Sequence, residues 1–174
     1  MMAISSCDGL LDRFPLDKLS PETFLASETE MQTYTNAFYT MFPGAGDMYG
    51  ESSDAVIGLN LNDALWGART ISSGDGGWSW SNLRNINTLI EYSGNCSDVA
   101  VRNEYVALAR FFRAYFYFEK IKMFGDVPWY DRELGSDDPE LYKPRDTREL
   151  VMQNMLKDID FAIANLPSAK HVYR

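Results

Sequence analysis

The sequence predicts a mostly α-helical fold of packed helices interrupted by long irregular insertions. Three observations carry that prediction. Residues Asp98 to Pro128 read as one long helix that is apolar on two sides. Apolar residues recur at spacings of three and four in three further stretches, each opened by a capping pattern. The segment from Gly44 to Gly77 is glycine-rich and lacks helical period. With 45% apolar and 24% charged residues the chain falls in the globular range, and 174 residues are one domain's length.

The long helix organises the rest. Tyr105, Leu108, Ala109, Phe112, Tyr115 and Phe116 share one face, and Phe111, Ala114, Tyr117, Phe118 and Ile121 make a second. A helix apolar on two sides has to be covered on two sides. Asp98 suits the N-cap, Lys120 and Lys122 suit the negative end of the dipole, and Gly125 suits the left-handed residue just past the end. Pro128 blocks a restart. Arg110 and Arg113 lie inside an aromatic helix, where they are expected to stack on rings or pair with Glu104 or Glu119. Trp129 is placed to seal the helix end.

From the N-terminus, Ser20-Pro21-Glu22 starts a short turn through Phe24 and Leu25. Ser27-Glu28-Thr29-Glu30 is a capping box that opens a helix bearing Met31, Tyr34, Thr35, Phe38 and Phe42 on one face, stopped by Pro43-Gly44. That helix is expected to pack on the central one. Val56, Ile57, Leu59, Leu61 and Trp66 make the next segment an ordered loop with a short extended piece near Ala55 to Leu61. Ser79 then caps a helix of Trp80, Leu83, Ile86, Leu89 and Ile90 that ends at Gly94. Trp129 to Lys143 is irregular, with Asp137, Asp138 and Glu140 as a solvated charge cluster. Asp146, with Glu149 three residues on, caps the last helix, whose buried side is Leu150, Val151, Met155, Ile159, Ala162, Ile163 and Leu166, up to Pro167.

Several function classes are disfavoured. A net charge of −9 argues against nucleic acid or an anionic membrane surface as partner. It suits a neutral ligand such as a sugar, or serves solubility alone. The single histidine, His171, argues against a histidine triad or a multi-histidine metal site. Two cysteines, Cys7 and Cys96, imply no disulfide framework, and Cys96 has no histidine nearby to activate it. Gly74-Asp75-Gly76-Gly77 has neither lysine nor preceding strand, so it is not a phosphate loop. Asp137-Asp138 lacks EF-hand spacing. No apolar run reaches the length of a membrane span. No enzyme activity, cofactor or metal is expected.

The order Glu104, Arg110-Phe111, Arg113-Ala114-Tyr115-Phe116-Tyr117-Phe118 and Phe124-Gly125-Asp126-Val127-Pro128 resembles the signature segment of SusD/RagB-like proteins, the glycan-binding surface lipoproteins of Bacteroidetes-type bacteria. Three other stretches are similar to that family: Met1–Cys7 with Asp8-Gly9-Leu10-Leu11-Asp12, the tryptophan helix carrying Ile86-Asn87, and Asp158-Ile159-Asp160 through Leu166-Pro167. The resemblance implies tetratricopeptide-like helical pairs with long loop insertions. It makes residues 1–26 a lipoprotein-like lead-in and 27–174 a SusD-like N-terminal helical domain whose second half is absent. It makes Cys7 the lipid anchor, although the six residues before it cannot hold a signal peptide's charged and apolar regions, so the signal is expected to be missing or truncated. A stack lacking its later pairs is expected to leave one apolar face uncovered. The function implied is oligosaccharide binding at the outer-membrane surface, without cleavage, and delivery to a SusC-type TonB-dependent transporter. Membrane contact would come only through the lipid.

Sugar recognition needs flat apolar faces and planar polar groups. In the family the sugar site is built partly from loops in the region from Asp54 to Arg84. Trp78 or Trp80 is the stacking candidate, with Asp54, Arg69, Asn82 and Arg84 as hydrogen-bonding partners. Beside this stands the plainer reading that Trp80, at helical spacing to Leu83, is core and Arg84 is solvated. The rival function is a helical-repeat scaffold that binds a protein and has no sugar site.

Overall fold

The computed structural model describes residues 23–44, 52–53, 56–57, 67–68 and 76–168. Its elements are α1 (Glu28–Thr35), β1 (Ser52–Ser53), β2 (Val56–Ile57), α2 (Ser81–Tyr92), α3 (Val99–Phe124) and α4 (Arg148–Asn165). The two short strands pair antiparallel. The fold is mostly α and of the expected helical-pair type, and α3 is its centre.

α3 begins where Asp98 accepts hydrogen bonds from the amides of Ala100 (2.9 Å) and Val101 (3.2 Å). It ends at Gly125, whose φ of 73° favours a residue without Cβ. α1, α2 and the turn at Leu25 cover its N-terminal half. Leu25, Met31, Phe38, Ile86, Leu89, Tyr105, Ala109 and Phe112 form one buried cluster there. Met31 of α1 lies in that cluster, and Phe38, just past the end of α1, meets Phe112 edge to face at 5.7 Å, so this segment does pack on the central helix. The Ser27–Glu30 capping box is present in both directions. The α-helical part ends at Thr35, however, and Asn36–Met41 continues as a tighter 3₁₀ turn before Pro43.

α4 lies antiparallel along the other side of α3. Asp126 meets Arg148, Arg113 meets Asp158 and Arg110 lies over Phe161, in opposite order along the two segments. A second cluster forms where the chain turns between them, from Leu83, Phe116, Tyr117, Val127, Tyr130, Leu134 and Val151.

Several expectations are corrected. Ser79 does not cap α2. Its hydroxyl is engaged with that of Ser81 at 3.2 Å, and Trp80 occupies the N-cap position without a side-chain bond. Thr147 caps α4 instead of Asp146. The Asp146 carboxylate is held elsewhere, by the Trp129 amide (2.7 Å) and Lys143 (3.2 Å). Leu150 and Ile163 are exposed, not buried, because α4 turns Val151, Met155, Asp158 and Ala162 toward its neighbours; Met152 and Leu156 share that exposure. Phe118 is half exposed, with Lys122 over its ring. Arg110 and Arg113 lie over the Phe161 and Trp129 rings, as one alternative had it, but Arg113 pairs with neither Glu104 nor Glu119; it faces α4 and reaches Asp158, while Glu119 pairs with Lys122.

Candidate functional site

Arg113 and Asp158 are both almost fully buried and form a two-pronged pair, Nε to Oδ2 at 2.7 Å and Nη2 to Oδ1 at 2.8 Å. A buried charge needs such pairing, since an unpaired one is costly. The remaining Arg113 nitrogen, Nη1, donates to Asn87 Oδ1 (3.2 Å) and to the Asp131 carbonyl (3.0 Å). Asn87, buried on α2, donates in turn to the carbonyls of Tyr130 (3.1 Å) and Arg132 (2.9 Å). The Tyr117 hydroxyl accepts from the Tyr130 amide at 2.6 Å and donates to the Pro128 carbonyl at 3.2 Å. Burial pushes the Tyr117 phenol far above its usual range, so it stays protonated and keeps both bonds. The Trp129 ring stacks on Tyr117 at 4.3 Å. Three side chains from two helices thus satisfy the backbone of an irregular strip, residues 128–132, that no secondary structure could satisfy.

The same logic explains the residues between α3 and α4. Gly125 makes the turn, Asp126 accepts from the Arg148 amide (2.9 Å) at the start of α4, and Val127 bridges to Asp146. Pro128 presents its carbonyl to Tyr117.

The strip held by this clamp is one wall of a pocket of about 400 Å³, within the usual range for small-ligand sites. Trp78, Trp80, Leu83 and Arg84 form the opposite wall. Pro128, Tyr130, Arg132 and Leu134 come from the strip, and Leu141, Lys143 and Arg145 close the rim. Trp80 packs against Trp78 (5.1 Å), Phe116 (5.6 Å) and Tyr130 (5.6 Å), while Trp78 meets Phe124 edge to face at 4.8 Å. Both tryptophans are half-buried. Lys120, buried behind them, donates to the Gly77 carbonyl and lies over the Trp80 and Phe124 rings. Gly77 has a φ of 88°, and a Cβ there would sit 2.9 Å from the Met123 sulfur, so the approach to Trp78 needs glycine.

At the rim, Arg132 bonds Asp138 at 2.7 Å and Glu140 at 3.4 Å. The Arg132 hydrogen bond, with the Glu140 amide, holds the Asp138 carboxyl below its usual range. Burial raises the Tyr130 phenol.

The structure therefore brings Trp78, Trp80 and Arg84 together. Asn82 lies in a separate hollow with Glu119, Lys120 and Met123. Asp54, Arg69 and Cys7 lie outside the described residues. Sequence reasoning missed Tyr130, Arg132 and Lys143, which sit in a stretch without period, and Arg145, in the lead-in of the last helix. Their only signal was composition, aromatic and basic residues interleaved after Pro128. Among the described residues no cluster of His, Cys, Asp and Glu fits a metal.

In comparison with known proteins, residues 68–173 match the SusD-like family model described as "Starch-binding associating with outer membrane". That span contains α2, α3, α4 and the whole pocket. The fold matches the crystal structure of a SusD-like protein from Bacteroides fragilis with a TM-score of 0.71 and 21% identity, over 91% of this chain and 33% of that one. The chain thus spans about a third of the length of that structure, and at such identity the likeness shows the fold alone. No curated protein matches in sequence.

Proposed function

The chain belongs to the SusD-like family, and from that premise we propose that it binds oligosaccharide at the outer-membrane surface without cleaving it. The observation that carries this reading is the pocket itself. It offers two indole faces and a phenol ring beside guanidinium donors, the pairing that a sugar's apolar ring face and its hydroxyls require. Trp78 or Trp80 stacks the sugar and Arg84 hydrogen-bonds it. Asp54 and Arg69, which lie outside the described residues, are proposed as further hydrogen-bonding partners. Among the described residues no carboxylate lines the pocket, whereas glycoside hydrolysis needs two across a cleft. The mechanism we propose is capture without bond cleavage. The bound sugar passes to a SusC-type TonB-dependent transporter. Among the described residues no helix is long and apolar enough to cross a membrane, and attachment falls to a lipid on Cys7.

Titration with neutral and acidic oligosaccharide mixtures, followed by tryptophan fluorescence, tests the reading. Saturable quenching that is lost in Trp78→Ala is expected. Silence across the whole panel contradicts it and favours the scaffold reading, a helical protein-binder without a sugar site. That rival draws on Met152, Leu156 and Ile163, which α4 leaves in solvent. Released reducing ends would restore a hydrolase.

A further inference from the structure

The whole-chain charge does not describe the pocket. The chain carries −9, yet Arg84, Arg132, Lys143 and Arg145 line the pocket and, among the described residues, no Asp or Glu does. Two of these cations are already compensated, Arg132 by Asp138 and Glu140 and Lys143 by Asp146. The other two are not. Among the described residues Arg84 and Arg145 take part in no ion pair. Arg84 makes one long bond to the Leu134 carbonyl at 3.3 Å. Arg145 makes one to the Asp126 carbonyl at 3.5 Å and lies 4.8 Å over the Trp78 ring. Each guanidinium carries five donors, so most of this hydrogen-bonding capacity is unspent.

We propose that the pocket selects an oligosaccharide bearing an anionic substituent, a uronate carboxylate or a sulfate ester, held by Arg84 and Arg145. This deepens the glycan reading above and rests on it. A planar guanidinium matches a two-oxygen anion with two parallel hydrogen bonds, and such charge-assisted bonds are shorter and stronger than those to a neutral hydroxyl. Arg145 lies over one face of the Trp78 indole, which steadies its guanidinium near the Trp80 ring. A neutral glycan would leave both positive charges uncompensated at the mouth of a half-closed pocket.

The test is calorimetric titration of the full chain with uronate and sulfated oligosaccharides, each against its methyl-esterified or desulfated counterpart. The acidic member of at least one pair is expected to bind about tenfold tighter or more, the margin of one charge-assisted contact. That margin should shrink as salt is raised. Arg145→Gln, at an exposed position, should abolish the preference while neutral binding persists, whereas Arg84→Gln, which also removes a sugar hydrogen bond, should weaken acidic and neutral binding alike and narrow their ratio. The carboxylate and sulfate series say which anion is meant. Equal or weaker binding of every acidic member overturns the anion preference and leaves glycan capture standing. No saturable binding by any sugar removes both readings.

Discussion

The two halves of α3 are held by different physics. Around Tyr105, Ala109 and Phe112 the buried contacts are mostly apolar, and buried Thr35 and Ser93 are satisfied within their own turns. Thr35 bonds the Gln32 carbonyl and Ser93 the Ile90 carbonyl, each three residues away. Around Arg113 and Tyr117 the buried polar groups instead reach partners 11 to 45 residues distant, on α2, α4 and the strip after Pro128. The first half makes a core. The second half makes a core that also fixes an irregular wall, and that wall is where the pocket is. Buried backbone outside helices and strands must be satisfied by side chains, and here it is.

The contrast is sharpest under substitution. Asp158→Ala leaves Arg113 charged, buried and unpaired, and is expected to cost about 3–5 kcal/mol in urea unfolding. Phe112→Ala is expected to cost a similar 3–5 kcal/mol or so from lost burial and a cavity. The halves part company on rescue. Adding Arg113→Met to Asp158→Ala removes the stranded charge and should recover part of the loss. If the double variant is as unstable as the sum of the two single ones, the pair is not a unit.

Tyr117→Phe keeps the ring and strands the Tyr130 amide, at a cost of about 1–3 kcal/mol. It should also change the alkaline limb. The folded phenol ionises well above its ordinary 10.0, so its contribution is whole below pH 10 and is lost as pH rises beyond it. Tyr34 and Tyr130, raised in the same direction by burial, remain in the variant, so its loss of stability above pH 10 should be shallower but not absent. An unchanged slope between pH 10 and 11.5 or so would put the Tyr117 hydroxyl in water.

The smallest effect is expected outside both halves. Ile163 is 74% exposed on the outer side of α4, and Ile163→Ser should move stability by no more than about 0.5 kcal/mol. A larger loss would mean that the outer side of α4 is covered.

This contrast also sets what was legible in the sequence. The first half was readable because helical periodicity reports apolar burial directly. Tyr105, Ala109 and Phe112 lie where spacing put them, and the Ser27 and Asp98 caps hold their helices. Periodicity says nothing about which polar residue faces inward. Arg113 was expected to stack on a ring or pair within its own helix; it does lie over Trp129, but its charge partner Asp158 is 45 residues away, beyond what spacing reveals. Leu150 and Ile163 were misplaced for the converse reason, since an apolar residue at the right interval does not specify a neighbour to bury it. The resemblance did mark the second half, through the Arg-Ala-aromatic run, Ile86-Asn87 and Gly-Asp-Val-Pro. The structure supplies the physical sense of those residues as clamp, carbonyl holder and turn. The pocket's basic rim was hidden because Arg132 and Lys143 belong to a stretch with no period and Arg145 to the lead-in of the last helix.

Hydrogen exchange at the Trp129 and Tyr130 amides tests the clamp most directly. Both lie in irregular backbone, yet one donates to Asp146 and the other to the buried Tyr117 hydroxyl. Protection comparable to the amides in the middle of α3, collapsing in Asp158→Ala, is the predicted result. Exchange at the rate of an exposed loop in the unaltered chain would contradict it, and the pocket would lose the wall on which the rest of the account stands.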